Sequence, residues 1–500
     1  MKKTFESGLG RTQAMHTAQA ALPVLVASLW LAGCAVRTAP PVVSAPVPLV
    51  WQAALPHQGS LGDLRQWWQQ QGDPLLAELV AAGQAMSPTV ASAHSRIEQA
   101  RAARTAAGAA LLPTLDAAAS LTRGRALQAA GPGLVPVATS AQAGLQAAWE
   151  LDIAGGNRAA LDAASQRLLG ADAQWHDARV SSAAEVANQY FSLRGCRALA
   201  DVTRLDAGSR QETARLSALS TQAGFTAPAS DALARASAAD ARGRATRQAA
   251  QCELDLKALV ALTGYDEPDL RKKLAFAHTP PAQTAIISIA TVPAEALAQR
   301  PDVFSAGREV AAASADLGSA RAARYPRLAL GGNIGVARIY ASGGSASLDT
   351  WSIGPLSLTV PLFDGGRRAA NVAAAEARYE EAASLYRARV RQAVREVEQA
   401  LVSLQSGEAR QADADAAVDG YRAAFAGTEA QYKNGLVSLL ALEDARRTLL
   451  AAEVNQVTLR QERQAAGVAL YRAMGGGWTQ AVTQLSPLQA TGAQPSLLSR

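Results

Sequence analysis

The chain has 500 residues, 49% of them hydrophobic but only 5% aromatic, and its 48 Lys and Arg stand against 42 Asp and Glu for a formal charge of +6. Ala, Leu and Val therefore supply the apolar surface, which suits closely packed helices better than a bulky globular core. The basic residues are scattered along helical stretches among acidic ones and form no run, which argues against a nucleic-acid partner.

Met1 to Cys34 reads as an address. Lys2, Lys3 and Arg11 make a positive start, Ala20 to Ala32 is an apolar run too short to span a bilayer, and Leu31-Ala32-Gly33-Cys34 closes it. That tetrapeptide resembles a bacterial lipobox, in which the Cys is lipidated and becomes the mature N-terminus. Ala35 follows it where lipoproteins retained at the inner membrane usually carry Asp, so the resemblance points to the outer membrane. An ordinary signal peptide that happens to hold a Cys is the alternative. Val36 to Pro56 is Pro-rich without periodicity and reads as extended linker. Residues 1–33 are thus expected to be signal peptide and residues 34–60 a lipidated linker.

The remainder is a duplication. Leu161, Leu168, Trp175, Val186, Leu193, Gly224 and Gly264 recur as Val372, Tyr379, Tyr386, Val397, Leu404, Gly435 and Gly475, all 211 positions on. Pro88, Ser92, Ile97 and Pro113 recur 213 positions on as Pro301, Ser305, Val310 and Pro326, so a loop before Leu161 absorbs two residues. The copies occupy residues 61–264 and 294–478, with a Pro-containing, irregular connector over 265–293 and a loose tail over 479–500.

Each copy opens with a helix, at Ser87-Pro88 and at Arg300-Pro301-Asp302, where Pro suits the first turn and an acid suits the positive helix start. Strands follow. From Ala141 to Ile153 apolar residues alternate with Gln142, Gly144, Gln146, Glu150 and Asp152, and the same alternation recurs over 328–337 and over 356–362, more weakly over 115–122. The strands pair through loops spanning Gly124 to Ser140, with Gly131-Pro132-Gly133, and Ala341 to Thr350, with Gly343-Gly344. A soluble sandwich alternates in the same way, but the neighbouring helices are too long to pack on four short strands. After Gly155-Gly156 and Gly365-Gly366 the helical pattern runs from Arg158 to Gln222 and from Arg367 to Lys433. The first would be about 97 Å long at ~1.5 Å per residue. Val390, Val394, Val397, Leu401 and Leu404 carry the coiled-coil spacing, so neighbouring helices are needed along the length. Short Gly-centred breaks at Gly224-Phe225 and at Asn434-Gly435-Leu436 turn each helix back into a partner, over about 230–262 and 439–473.

Four strands leave two open sheet edges, which a bilayer does not tolerate. If the strands enter a membrane, the chain must oligomerise, with the wet strand face lining a water-filled bore and the hairpins forming a tube from one rim. The fold class is therefore an α+β membrane protein with an internal two-fold repeat.

Ala298-Gln299-Arg300-Pro301-Asp302-Val303, followed by Gly318-Ser319-Ala320-Arg321-Ala322-Ala323-Arg324-Tyr325-Pro326, two strand pairs, two Gly tips and the lipobox, resembles the TolC-like outer-membrane efflux factors, lipoprotein branch. That resemblance implies a homotrimer with a 12-stranded barrel, a periplasmic helical tunnel, a periplasmic adaptor and an inner-membrane transporter of the resistance-nodulation-division type as partners. The function it implies is a passive exit duct. A solitary outer-membrane pore, a type I secretion duct or a periplasmic adaptor lipoprotein are the alternatives. It also implies roles for residues. Cys34 would carry the lipid. Arg215, Leu216, Ser217, Gly224, Phe225, Gly435 and Leu436 would meet the adaptor, and Leu440 with Asp444 would narrow the closed end.

Cysteine arithmetic adds one expectation. With Cys34 lipidated, Cys196 and Cys252 remain, and their midpoint is Gly224, since (196 + 252)/2 = 224. Residues equidistant from a hairpin turn lie level on its helices, so in an oxidising periplasm they are expected to form a disulfide. Two small buried thiols are the alternative. Gly407 and Arg463 take their places in the second copy. No enzyme is expected. There is no phosphate-binding loop before a helix and no nucleophile motif, and His16, His57, His94, His176 and His278 show no ligand spacing, so neither cofactor nor metal is anticipated. The sequence names no cargo.

Overall fold

The computed structural model describes residues 39–53, 67–125, 137–276, 293–341 and 344–478. Cys34 and its leader, the outer parts of both strand loops, residues 277–292 of the connector and the 479–500 tail lie outside the described residues. In chain order the elements are α1 (Trp67–Gln70), α2 (Pro74–Met86), α3 (Pro88–Ala109), β1 (Thr114–Arg125), β2 (Val137–Leu151), α4 (Gly156–Gln222), α5 (Pro228–Thr263) and α6 (Glu267–Phe276). The second copy follows as α7 (Pro293–Ala298), α8 (Pro301–Ala322), β3 (Arg327–Ala341), β4 (Gly344–Thr359), α9 (Arg367–Ala409), α10 (Gln411–Lys433) and α11 (Leu439–Ala473). Contacts divide them into two units, with α4 and α9 contributing to both.

The first unit holds residues 39–47, Ser87–Arg179 and Asp302–Ala393. Ser87 caps α3 by accepting from Val90 N at 3.3 Å, with Pro88 in the first turn where its missing N–H costs nothing. The four strands form one antiparallel sheet in the order β1-β2-β3-β4. Two strand limits differ from the sequence expectation. β4 begins at Gly344, so most of the expected 341–350 loop is strand, and β1 and β2 extend to Arg125 and from Val137. Ser345, Ser347 and Thr350 lack apolar alternation but pair in register with Tyr340, Arg338 and Gly335, so ladder hydrogen bonding extends the strand past the greasy stretch. Val310, Ala313, Tyr379 and Ala382 make a small core between α8 and α9, and Ala39 and Val43 of the N-terminal strap pack on it. Ser314 Oγ donates to Ala39 O at 2.5 Å, and Tyr379 OH donates to Pro40 O at 3.0 Å.

The second unit holds the remaining described segments, including both hairpin tips. Its core gathers Leu76, Leu79, Tyr190, Leu193, Leu256, Leu259 and Leu401, all fully buried, around an aromatic stack in which Trp67 lies 5.1 Å from Tyr471 and Trp68 meets Tyr471 edge-on at 4.6 Å. Tyr190 OH donates to Asp73 Oδ2 at 2.6 Å, fastening the start of α2 to α4. Burial, then that carboxylate, raises its phenol above the ordinary value. Trp51 is buried in the same core, and Gln52 N and Ala53 N donate to the two Glu398 carboxylate oxygens at 2.7 and 2.8 Å.

Two expectations are corrected here. The connector is not irregular from its start, because Glu267–Phe276 is helical. Pro268 occupies the first turn, Glu267 and Asp269 complement the helix start and Lys273 its end. The helix expected over Arg367 to Lys433 is interrupted at Arg410, whose carbonyl still accepts from Ala414 N at 3.0 Å.

Candidate functional site

The sheet register sorts the strand side chains into two faces, because directly paired residues point the same way and alternate along each strand. One face carries Leu115, Leu145, Trp149, Leu328, Leu330, Ile334, Val336, Trp351, Ile353 and Leu356, and the other carries Asp116, Ser120, Gln142, Gln146, Glu150, Asn333, Thr350 and Ser352. The large residues of the first face are mostly exposed in the single chain, as a lipid-facing wall would be. Gly144 and Gly335 oppose each other on the polar face, and a Cβ at Gly144 would lie 2.6 Å from Ile334 O, so the two backbones approach too closely for a side chain. Among the described residues no helix is long and apolar enough to cross a membrane.

Both tips are built alike. Gly224 and Gly435 take left-handed φ of 80° and 74°, and the next residue's N–H reaches back five positions, Phe225 N to Ser220 O and Leu436 N to Gln431 O, each at 2.9 Å. That is the Schellman ending, with Gly where a Cβ would be strained. Phe225 and Leu436 are left 85% and 74% exposed. Arg215 is exposed beside Glu212, and Leu216 is partly exposed. Ser217 is 2% exposed, so its side chain faces into the hairpin and a surface contact falls to Arg215 and Leu216. Leu440 is exposed, and Asp444 is exposed and paired with Arg447 one turn on.

Above the tips lies a cluster that the sequence did not disclose. Arg210 of α4 donates from Nε to both Asp206 carboxylate oxygens at 2.9 and 3.0 Å, from Nη1 to Ser237 Oγ of α5 at 2.7 Å, and to Glu443 of α11. Glu443 also accepts from Arg446 Nη1 at 2.6 Å, and Arg446 Nη2 donates to Ser209 Oγ and Thr213 Oγ1, both at 3.0 Å. Phe425 of α10 places its ring 5.5 Å from the Arg446 guanidinium carbon. Asp206, Arg210, Glu443 and Arg446 are all buried, and burial pushes the Arg446 guanidinium below its usual value. The cluster joins side chains from four helices, hence both hairpins. Its members alternate with ordinary surface charges in the sequence, and spacing alone does not reveal which charges turn inward.

The family model for outer membrane efflux proteins matches residues 80–265 and 292–476, which are the two copies. The chain belongs to the outer membrane efflux protein family. Outer membrane protein OprJ of Pseudomonas aeruginosa is 32% identical over 463 residues, 91% of this chain and 95% of that one. Nodulation protein T of Rhizobium leguminosarum bv. viciae is 28% identical over 487 residues, 95% of this chain and 97% of its own length. Among solved structures, the outer-membrane channel OprN superposes with a TM-score of 0.78 at 28% identity, covering 88% of this chain and all of that one.

Within this efflux-protein fold, the Arg-Pro-Asp block that carried the sequence resemblance is a joint. Arg300 is buried, and its Nη1 donates to Ala473 O at 2.9 Å while Nη2 meets Glu396 Oε2 at 2.7 Å, so it satisfies the carboxyl end of α11. Gly475 follows with φ 75°, and a Cβ there would lie 2.3 Å from Gln299 O. Pro301 and Asp302 then start α8, Asp302 Oδ1 accepting from Val303 N at 2.9 Å.

Cys196 and Cys252 are joined in a disulfide with their Cα atoms 5.5 Å apart, inside the second-unit core. In the second copy the same level is packed differently. Gly407 leaves room for the Arg463 side chain, whose Nη1 donates to Gln411 Oε1 at 2.9 Å. Thiol titration of unreduced, denatured protein is expected to find neither of these two cysteines free, and two free thiols per chain would contradict the bond. Among the described residues no group of three potential ligands is placed to hold a metal ion.

Proposed function

We propose that this chain is the exit duct of a tripartite efflux pump, carrying cargo passively from a periplasmic adaptor and inner-membrane transporter through the outer membrane. The observation that carries the reading is the pairing of an amphipathic four-stranded sheet with two Gly-tipped helical hairpins in a member of the efflux family. The sheet has two free edges, β1 and β4, and in a bilayer these must pair with other copies. Three copies give a 12-stranded barrel. Arg215, Leu216, Gly224, Phe225, Gly435 and Leu436 form the adaptor-facing tips, with apolar Phe225 and Leu436 offered to solvent in the single chain. Mild-detergent purification of the tagged chain from its native cells should bring down an adaptor and a transporter. Recovery of the chain alone after cross-linking would favour a solitary pore.

Cys34 is the proposed lipid site. Ala39 packs on the small core that holds Tyr379, which stands 379 − 367 = 12 residues into α9, about 18 Å from its start at ~1.5 Å per residue. Five residues from Ala39 to Cys34 span at most about 18 Å. The lipid can therefore reach the level at which the sheet hands over to the helices. The mass of the mature N-terminal peptide decides it, and an unmodified start elsewhere would overturn the assignment.

Leu440 and Asp444 are the proposed constriction. Arg447 offsets each Asp444, so the ring holds three carboxylate–guanidinium pairs and not three bare acids. Asp444→Ala should weaken block by multivalent cations in planar bilayers, because it leaves Arg447 to repel them. Unchanged block would remove Asp444 from the constriction.

A further inference from the structure

The charged residues of the sheet are segregated. On the polar face the register places Asp116, Glu150 and, at the first position of β3, Arg327. On the apolar face it places Arg123, Arg125 and Arg338, with Asp349 one step below Arg338. These three arginines share the end of the sheet farthest from the helices. Arg123 pairs with Thr139, which pairs with Tyr340, while Arg338 pairs with Ala141 and Ser347, and Arg125 pairs with Val137. Around them the same face offers Thr139, Ser345 and Ser347 hydroxyls, and the Arg338 guanidinium carbon lies 5.6 Å from the Tyr340 ring.

Their height is the telling feature. From Leu328, where the greasy face begins, to Arg338 is 338 − 328 = 10 residues, about 34 Å along the strand at ~3.4 Å per residue. Strands tilted by ~40° turn that into about 26 Å of height, the thickness of the apolar belt of an outer-membrane barrel at ~25 Å. The arginines therefore stand where hydrocarbon gives way to headgroups, on the leaflet opposite the helices. An arginine aimed into hydrocarbon is costly at the midplane but not at the boundary, and its planar fork matches a phosphate better than any other side chain does.

We propose that Arg123, Arg125 and Arg338 form a collar that binds the phosphate-bearing headgroups of glycolipid in the outer leaflet. The proposal rests on the membrane reading above and adds a lipid partner to it. Three copies would surround the barrel with nine guanidinium groups, arranged on the lipid side and separate from the bore. Asp349, one step below Arg338 on the same face, does not cancel the collar, since among the described strand residues three bases share this face with one acid.

Binding of bis-phosphorylated lipid A and of its enzymatically dephosphorylated form to the detergent-purified full chain tests the collar, with native mass spectrometry as the readout. The wild type should retain the phosphorylated lipid preferentially. Each Arg→Ala change should weaken that retention about fivefold, and the triple change by about a hundredfold, while a triple Arg→Lys variant, which keeps the charge and loses the fork, falls between the wild type and the triple Ala variant. The mass of the assembled variant checks that it still folds, and the single changes serve if the triple one does not. Equal retention of both lipid forms, or a triple Ala variant that binds like the wild type, would overturn the proposal. Displacement of the lipid by equimolar inorganic phosphate would show a free-anion site and overturn it too. If the wild type associates with neither lipid, the membrane reading fails along with the collar.

Discussion

Arg210→Ala is expected to cost about 3–5 kcal/mol of stability, the usual penalty for removing one partner from a buried ion network. Arg210 reaches Asp206, Ser237 and Glu443, so its loss leaves two buried carboxylates for one buried arginine, Glu443 keeping Arg446 and Asp206 keeping only the longer 3.4 Å contact from Arg244. Replacing Asp206, Arg210, Glu443 and Arg446 together by leucine should cost much less than Arg210→Ala alone, because no charge of the buried cluster is then left without its partner. Thermal unfolding of the detergent-solubilised chain, followed by circular dichroism, reads both. If Arg210→Ala shifts stability by less than about 0.5 kcal/mol, as a surface change would, the cluster does not tie the hairpins.

Arg300→Ala is expected to be the second most damaging single change, at about 2–4 kcal/mol, from two charge-assisted hydrogen bonds and the packing of a buried side chain. It would leave Ala473 O at the end of α11 without its guanidinium partner beside the Gly475 turn. Arg300→Lys should recover little, since one ammonium does not reproduce a fork that spans Ala473 O and Glu396. Limited proteolysis gives a site-specific readout, with cleavage near residues 470–478 rising in both variants. An unchanged digestion pattern and melting curve would mean that Arg300 does not hold this joint.

These two residues also mark what the sequence discloses and what it hides. The duplication, the strand pairs and the tips were legible because each leaves a periodic or punctuated trace. Gly224 and Gly435 sit 211 apart and must be Gly for the same left-handed turn. Cys196 and Cys252 were legible as a pair because both are level on one hairpin. Arg210, Glu443 and Arg446 left no such trace, since an inward charge on a long Ala-rich helix looks like an outward one until its neighbours are placed. Ser217 failed for the same reason, and helix rotation put it inside while Arg215 stayed out. The outer half of β4 was hidden differently. Its Ser345, Ser347 and Thr350 break the apolar alternation, so nothing in the sequence announces a strand that backbone pairing nonetheless builds. The helix Glu267–Phe276 was masked by the prolines around it, although Pro268 stands where a helix accepts one.

A single chain that belongs to this family but offers an open four-stranded sheet cannot by itself line a bore, and closure needs other copies. The most direct measurement is the protein mass of the assembly extracted in mild detergent, by analytical ultracentrifugation with the detergent contribution matched out. Closure of β1 against β4 around a common axis predicts three chains per particle, resistant to dilution. A stable, folded monomer under the same conditions would contradict the barrel and the duct built on it.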